Sequence, residues 1–483
     1  MTAFQICLLI NYTLCFLSIL GMIFIEHKKP IRITVWSLVL ILVPFGGLLL
    51  YVLIGYGLGR RTRKLLKKRA LYNNRYHESL QNQINVLSNK EKNEKYKDFI
   101  MFNLKNSNSV LTEKNDVKFF TQGLDMLEGL KQDLLNAKKN INIMFYIFAN
   151  DSTGKEIKEI LTKKAQEGVK VRVLYDAIGS LTTHKWQFRK LIKAGGTVLE
   201  FFPAFMGLKL FNLRANYRNH RKIVVIDGKV GYMGGMNLRN DHMGKKKRVS
   251  PWKDCHVRIE GPAIYSLQNI FISDWRLSSK RPEPPKYFLN EDYFKENIAC
   301  GNTPMQIVSS APTEYEDRNI EEMMIKMIYS AKKSIKIQTP YFILDDQFKL
   351  ALKMALLSGI KVEIMVPKKP DKQFVYSATL AYLKEVEKIG ANIYLYNGFM
   401  HTKAMCVDSE ILTLGSCNID IRSFALNFEV NSVIYGENSC KQYVDIFKND
   451  KVNSIKVDSQ FFKKLSIFRK LMMSVMKLFS AIL

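Results

Sequence analysis

Asn219–Asn237 reads NHRKIVVIDGKVGYMGGMN, and an altered copy, MHTKAMCVDSEILTLGSCN, stands at Met400–Asn418. Aligned without a gap, His220 falls on His401, Lys222 on Lys403, Asp227 on Asp408, Gly234 on Gly415 and Asn237 on Asn418, all at one offset of 181 residues. A single HxKxxxxD arises by chance at roughly one histidine in a few hundred. Two among seven histidines, with matching Gly and Asn, do not. The chain therefore carries a half-site twice.

Strand geometry accounts for the spacing. Residues i and i+2 of a strand share a face, so His220 projects with Lys222 and His401 with Lys403. Asp227-Gly228 is a tight-turn signal, and Lys229–Met233 is expected to return as the partner strand. Gly234 and Gly235 then permit close backbone approach before Asn237. Asp408, Gly415, Ser416 and Asn418 repeat the scheme. Each half offers an imidazole, an ammonium and an amide to one point. Lys and Asn side chains suit the oxygens of a phosphate. One neutral His suits attack at phosphorus and one protonated His suits donation to a leaving alcohol. This chemistry needs no metal. Asp227 and Asp408 are candidate catalytic residues by their place in the motif, and a turn-forming role is open for both. Asp254 and Glu429, in the strand-like segments WKDCHVRIEG and NFEVNSVIYG, are candidate acids that orient the imidazoles, one for each half. His27, His77, His184, His242 and His256 lack the motif context and read as surface or packing residues.

The duplication extends outward. Ala137–Ile141 (AKKNI) is echoed by Ala331–Ile335 (AKKSI), and Glu167–Val171 by Ser358–Val362. Ile141–Phe148 reads as a buried strand, Gly154–Glu167 as a helix and Val169–Tyr175 as a strand. This β-α-β rhythm predicts an α/β sandwich in each copy. The expected domains are 106–296 and 297–460.

Residues 1–25 and 33–59 carry no charged side chain. Each is long enough, as a helix rising ~1.5 Å per residue, to cross a ~30 Å hydrocarbon core. Residues 1–59 are therefore expected to hold two transmembrane segments, with a shallow re-entrant hairpin open as an alternative because Pro44, Gly46 and Gly47 interrupt the second. Seven basic residues from Arg60 to Arg69, against Lys28, Lys29 and Arg32 in the turn, place the following domains in the cytoplasm. Residues 60–105 read as a basic, polar linker, with a solvated helix open as an alternative over 70–105. Residues 461–483 mix five basic with many apolar residues, and both a helix lying on the bilayer and one docked on the second domain are open.

The net charge of +29 favours polyanions or an anionic membrane face. Seven cysteines without a CxxC speak against a disulfide framework or zinc ribbon.

These residues resemble the phospholipase D superfamily, whose signature is a doubled HxKxxxxD, and most closely its bacterial cardiolipin synthases. The resemblance spans nearly the whole chain. It includes Trp36, Pro44, Gly46, Gly47 and Tyr51, then Asn219–Ile223, Gly234–Asn237, Thr339–Phe342, Gly415–Ser423 and Asn427–Glu429. It implies two phospholipase D-like domains that form one active site at their interface behind a transmembrane helical hairpin. It also implies transfer of a phosphatidyl group between two phosphatidylglycerols at a bacterial cell membrane, through a phosphohistidine on His220 with His401 as acid and base. No metal, cofactor or nucleic acid is expected; phosphatidylglycerol and anionic membrane lipids are the expected partners. Asn240-Asp241-His242, where an acidic–aromatic pair is common, and Ser409, where Gly or Asp is frequent, depart from the pattern. A hydrolytic phospholipase D, another phosphatidyltransferase and a membrane-tethered nuclease stay open as alternatives.

Overall fold

The computed structural model describes residues 2–24, 30–43, 45–52, 79, 81–85, 87, 95–203, 216–245, 251–279, 300–312 and 318–480. Its N-terminal helix, Ala3–Phe24, has 22 residues and is long and apolar enough to cross a membrane. The second apolar run is not one spanning helix. It forms a 13-residue helix, Pro30–Leu42, and a 5-residue helix, Gly46–Leu50, with Phe45 between them at φ +60°. The left-handed φ of Phe45 divides the run into two short pieces in place of one span, although the Gly47 N–H still donates to the Val43 carbonyl across it. The turn at residues 25–29 and the basic cluster Arg60–Arg69 lie outside the described residues.

The end of the expected linker is also structured. Lys97–Ser107 is a helix that buries Phe99, Ile100, Asn103 and Leu104. Asn103 Nδ2 donates to Gln306 Oε1 at 3.1 Å and to the Tyr435 hydroxyl at 3.2 Å. The apolar spacing in this segment was masked by its Lys and Asn content.

The remainder is mixed α/β. Among the described residues, 15 strands form one continuous sheet. From one edge inward run Thr197–Phe201, Lys170–Asp176, Asn140–Phe145, Ile223–Ile226, Val230–Gly234, His256–Glu260 and Thr112–Phe120. The second repeat follows in mirrored order: Thr303–Ser310, Glu429–Tyr435, Ile411–Gly415, Ala404–Val407, Ser334–Gln338, Lys361–Pro367, Asn392–Tyr396 and Ser454–Val457. The first three strands pair parallel through helical crossovers such as Ser152–Gln166, whose N-cap Asp151 accepts from the Gly154 N–H. The other pairings within the first repeat are antiparallel. Thr112 and Asn115 pair with Met305 and Thr303, joining the repeats edge to edge. The expected boundary at 296/297 lies outside the described residues.

Each motif strand turns where the sequence expects. Asp227 and Gly228 adopt φ +54° and +62°, and Asp408 and Ser409 adopt +53° and +61°, paired left-handed conformations that turn the chain between the partners Ile226 and Val230 and between Val407 and Ile411. Three apolar clusters hold the fold. One lies under the outer helices of each repeat; the third joins residues of both, among them Met144, Ile223, Phe271, Met400, Leu412 and Phe447. That shared core fixes one motif against the other. The C-terminal helix Ile467–Leu478 packs on Gln373–Glu387, with Met473 buried between them.

Candidate active site

The two motif histidines are buried and stand in extended segments just before the strands Ile223–Ile226 and Ala404–Val407. Each segment is tied to the other repeat. His220 N–H donates to the Phe428 carbonyl at 3.0 Å, and His401 N–H donates to the Lys253 carbonyl at 2.6 Å. Phe428 and Lys253 are the residues before Glu429 and Asp254. The carboxylates are thereby delivered across the repeat boundary. His220 Nδ1 lies 3.0 Å from Glu429 Oε1, and His401 Nδ1 lies 2.6 Å from Asp254 Oδ2. The acid of each repeat thus serves the imidazole of the other.

Both groups near His220 Nδ1, the Glu429 carboxylate and the Ser416 carbonyl at 3.0 Å, are acceptors. Nδ1 therefore carries the proton and Nε2 presents its lone pair. Ser416 Oγ donates to Glu429 Oε2 at 2.5 Å and Asn427 Nδ2 donates to Oε1 at 3.1 Å, so that carboxylate is held from several sides. Tyr146 packs edge-on against His220 at 4.8 Å.

Lys222 and Lys403 are buried with the histidines, and each ammonium donates to the carbonyl of its own motif histidine. Burial pulls Lys222 down to about 7 and Lys403 to about 8, against the opposing charges of Glu429 and Asp254. Burial likewise lowers His220 to about 4 and His401 well below its ordinary range. Burial acts on Asp254 in the opposite sense, but the charges of His401 and Lys403 outweigh it and hold its carboxyl well below the usual carboxylate range. The site thus gathers two imidazoles, each facing a carboxylate, beside two buried lysines.

Not every expected residue joins this centre. Asp227 and Asp408 lie beyond the four-residue strands that follow the lysines, ~13 Å along at ~3.3 Å per residue. Asp227 accepts from the N–H groups of Lys138, Lys139 and Asn140 at 2.7–2.8 Å, and Asp408 does the same for Lys332, Lys333 and Ser334. They clamp each motif turn to the start of a neighbouring strand, which is the turn-forming role left open for both in the sequence. Asn237 Oδ1 accepts from Ile147 N–H at 3.1 Å. Asn418 Nδ2 donates to Ser423 Oγ at 3.3 Å, while its buried Oδ1 has no hydrogen-bond partner.

Three features of the site escape sequence reading. His242 takes the packing rather than the surface alternative, and it packs at the site itself. It is buried with its ring 5.0 Å from His401 and 4.2 Å from Trp252, and its Nδ1 lies 3.7 Å from Asp254 Oδ2 and accepts from Asn237 N–H at 3.2 Å. Its position five residues after the motif asparagine was the available signal. His256 is also buried, and neither of its ring nitrogens has a hydrogen-bond partner. Arg221, between His220 and Lys222, faces the opposite way. Its guanidinium pairs with Asp274 at 2.5 Å and donates to the Glu429 and Ser310 carbonyls, which pins the first motif to the second repeat. The Arg221 counterpart in the second copy is Thr402, so this brace is not repeated.

Among the described residues, His242, Asp254 and His401 bring one potential metal-ligating atom each within 4.8 Å of one another. Two imidazoles and a carboxylate suit a transition-metal ion by donor type. Here the His401–Asp254 contact is that of a direct hydrogen bond.

A family model described as "Cardiolipin synthase, PLD-like domain" matches residues 130–275 and 324–451. The chain is 40% identical to the major cardiolipin synthase of Bacillus subtilis (strain 168) over 490 residues, covering 100% of both chains. It is 39% identical to a cardiolipin synthase of Listeria monocytogenes serotype 4a (strain HCC23), covering 98% of this chain and 100% of the relative. Among solved structures, the phosphatidylserine synthase of Haemophilus influenzae Rd KW20 matches with a TM-score of 0.56 and 17% identity, over 76% of this chain and 95% of that one. This last likeness is one of fold.

Proposed function

The chain belongs to the cardiolipin synthase family of the phospholipase D superfamily, and on that premise we infer that it joins two phosphatidylglycerols into cardiolipin with release of glycerol. It is a phosphatidyltransferase acting on phospholipids. The crossed pairing of two imidazoles with two carboxylates, over two buried lysines, carries the reading at the site.

The two repeats then share one active site. Nε2 of His220, whose Nδ1–H is held by Glu429, attacks phosphorus of the first phosphatidylglycerol. The bond from phosphorus to the glycerol oxygen breaks, and His401 gives that oxygen its proton. The anionic phosphodiester favours the imidazolium form of His401, which Asp254 also stabilises. Lys222 and Lys403 stabilise the charge developing on the non-bridging oxygens. The headgroup hydroxyl of a second phosphatidylglycerol then attacks the phosphohistidine, its proton passes to neutral His401, and cardiolipin leaves. We place the catalytic repeats on the cytoplasmic side of a bacterial membrane, tethered by Ala3–Phe24, with Pro30–Leu50 as a re-entrant segment.

The test supplies the purified full chain in detergent with phosphatidylglycerol, with and without EDTA. Cardiolipin plus glycerol is expected; phosphatidic acid as the main product replaces this reading with hydrolysis. His220→Ala and His401→Ala are each expected to abolish turnover, and the trapped phosphohistidine is expected on His220. A phosphohistidine on His401 reverses the two roles.

A further inference from the structure

The C-terminal helix Ile467–Leu478 has two apolar faces, and only one meets the protein. The inner face buries Met473 and sets Arg469 over the Tyr376 ring and Lys477 over the Tyr382 ring. Lys477 also pairs with Glu385. At ~100° per residue, Ile467, Leu471 and Leu478 fall within about 40° of one another on the opposite side. They are 86%, 59% and 82% exposed, and Phe468 on the flank is 72% exposed. Such a stripe of large aliphatic and aromatic side chains in water is unfavourable and marks a contact surface.

A further exposed aromatic residue stands on the neighbouring helix. Arg469 Nη1 donates to Gln373 Oε1 at 3.3 Å, and the next residue, Phe374, is 62% exposed. Three residues before Phe374, Asp371 accepts from the Tyr341 hydroxyl at 2.7 Å. Asp371 is close enough to act electrostatically on Lys403, and Tyr341 on Tyr146, which packs on His220. The helix that this C-terminal helix packs on thus begins two residues after Asp371, the hydrogen-bond partner of Tyr341.

We propose that the outer face of Ile467–Leu478, with Phe374, docks on an anionic bilayer and sets the active-site rim at the lipid surface. Charge selects this occupant. Residues 459–483 contain five basic and no acidic side chains; Lys463 and Lys464 are exposed, and at ~100° per residue Lys470 falls on one flank of the stripe. A second copy of a chain with net charge +29 would bring like charge to the same face. An anionic headgroup layer over acyl chains complements both features. The proposal takes from the function reading only that the substrate is a bilayer phospholipid. Such a substrate needs its phosphate within reach of His220 while its acyl chains stay in the membrane.

The test replaces Phe468→Trp, a conservative change at an exposed position, in the full chain. The protein is reconstituted at low density into phosphatidylglycerol–phosphatidylcholine vesicles whose acyl chains are brominated near the headgroup. The added tryptophan fluorescence, taken by difference from the parent protein, is expected to fall by about half or more. In phosphatidylcholine alone the loss is expected to be several-fold smaller. No quenching in the anionic vesicles overturns the proposal, and equal quenching in both compositions overturns its electrostatic part. Separately, the triple variant Ile467→Ser/Leu471→Ser/Leu478→Ser is expected to raise the mole-fraction KM in mixed micelles about 5- to 20-fold with kcat held. An unchanged KM overturns delivery of substrate by this face. If the parent protein makes no cardiolipin, the function reading fails while the quenching result stands independently.

Discussion

His401 Nδ1 and Asp254 Oδ2 are 2.6 Å apart although 147 residues separate them in the chain. The partner relationship is His220 with Glu429, across 209 residues. Each imidazole is oriented by an acid of the opposite repeat, and the backbone bonds from His220 to Phe428 and from His401 to Lys253 set both pairs. Neither repeat alone holds an oriented histidine.

Asp254→Asn and Glu429→Gln are therefore each expected to lower kcat by ~10²–10⁴-fold, the range for losing the acid that fixes a catalytic imidazole. The double variant is expected to lose far less than the product of the two, because residues that act as a unit are not additive. Cardiolipin formation by the purified variants measures both. Near-normal activity in either single variant excludes the crossed-pair role.

Phosphate binding is expected to weaken as pH rises through about 7 to 8. Burial places Lys222 at about 7 and Lys403 at about 8. Both ammonium groups are charged below that window and lose their protons through it, so the inhibition constant of a non-reactive phosphonate analogue of phosphatidylglycerol should rise there. Lys222→Arg keeps its charge and should move the first part of the loss to higher pH. A pH-independent inhibition constant between 6 and 9 would refute the ammonium role.

Asp227→Ala and Asp408→Ala are expected to act on stability rather than chemistry. Each removes a carboxylate that accepts three backbone N–H groups. Part of each site faces solvent, so the loss should be about 1–3 kcal/mol per substitution. Denaturant midpoints should fall while kcat per folded molecule stays within about twofold. A large fall in kcat with an unchanged midpoint would return these residues to the chemistry.

Ser409→Gly is expected to stabilise the second repeat. Ser409 holds φ +61°, a conformation that costs a residue with a Cβ about 1–2 kcal/mol. Part of that relief is offset by the entropy of glycine in the unfolded chain, so a gain of roughly 0.5–1 kcal/mol in the unfolding free energy is the expected result. An unchanged or lower midpoint would mean that the Ser409 side chain compensates for its backbone.

His242→Phe keeps a ring between Trp252 and His401 but removes the acceptor of the Asn237 N–H. A buried donor left unpaired costs about 1–3 kcal/mol. The thermal midpoint should fall accordingly, and His242→Gln, which restores an acceptor, should recover part of it.

Much of the fold could be read from the chain because its signals are local. The hairpins at Asp227-Gly228 and Asp408-Ser409 follow from turn chemistry, and the strand at Asn140–Phe145 and the helix at Ser152–Gln166 follow from apolar periodicity. The burial of the helix Lys97–Ser107 was not legible, because only docking on Gln306 and Tyr435 makes its Asn103 a buried residue. The second apolar run carried its interruption in Pro44, Gly46 and Gly47, and the chain divides there, at the φ of Phe45. His242 looked unremarkable since nothing local marks it as a neighbour of His401.

The sequence by itself determined that two HxKxxxxD half-sites exist, that their histidines and lysines face together, and that an apolar N-terminal segment precedes them. Those are matters of spacing, turn chemistry and hydropathy within a few residues. Tertiary structure alone decided which acid orients which imidazole, that the motif aspartates clamp turns, and that a third histidine enters the site. Each of these depends on two segments more than a turn or strand apart meeting in a core shared by both repeats, and only the packed chain brings them within hydrogen-bond distance.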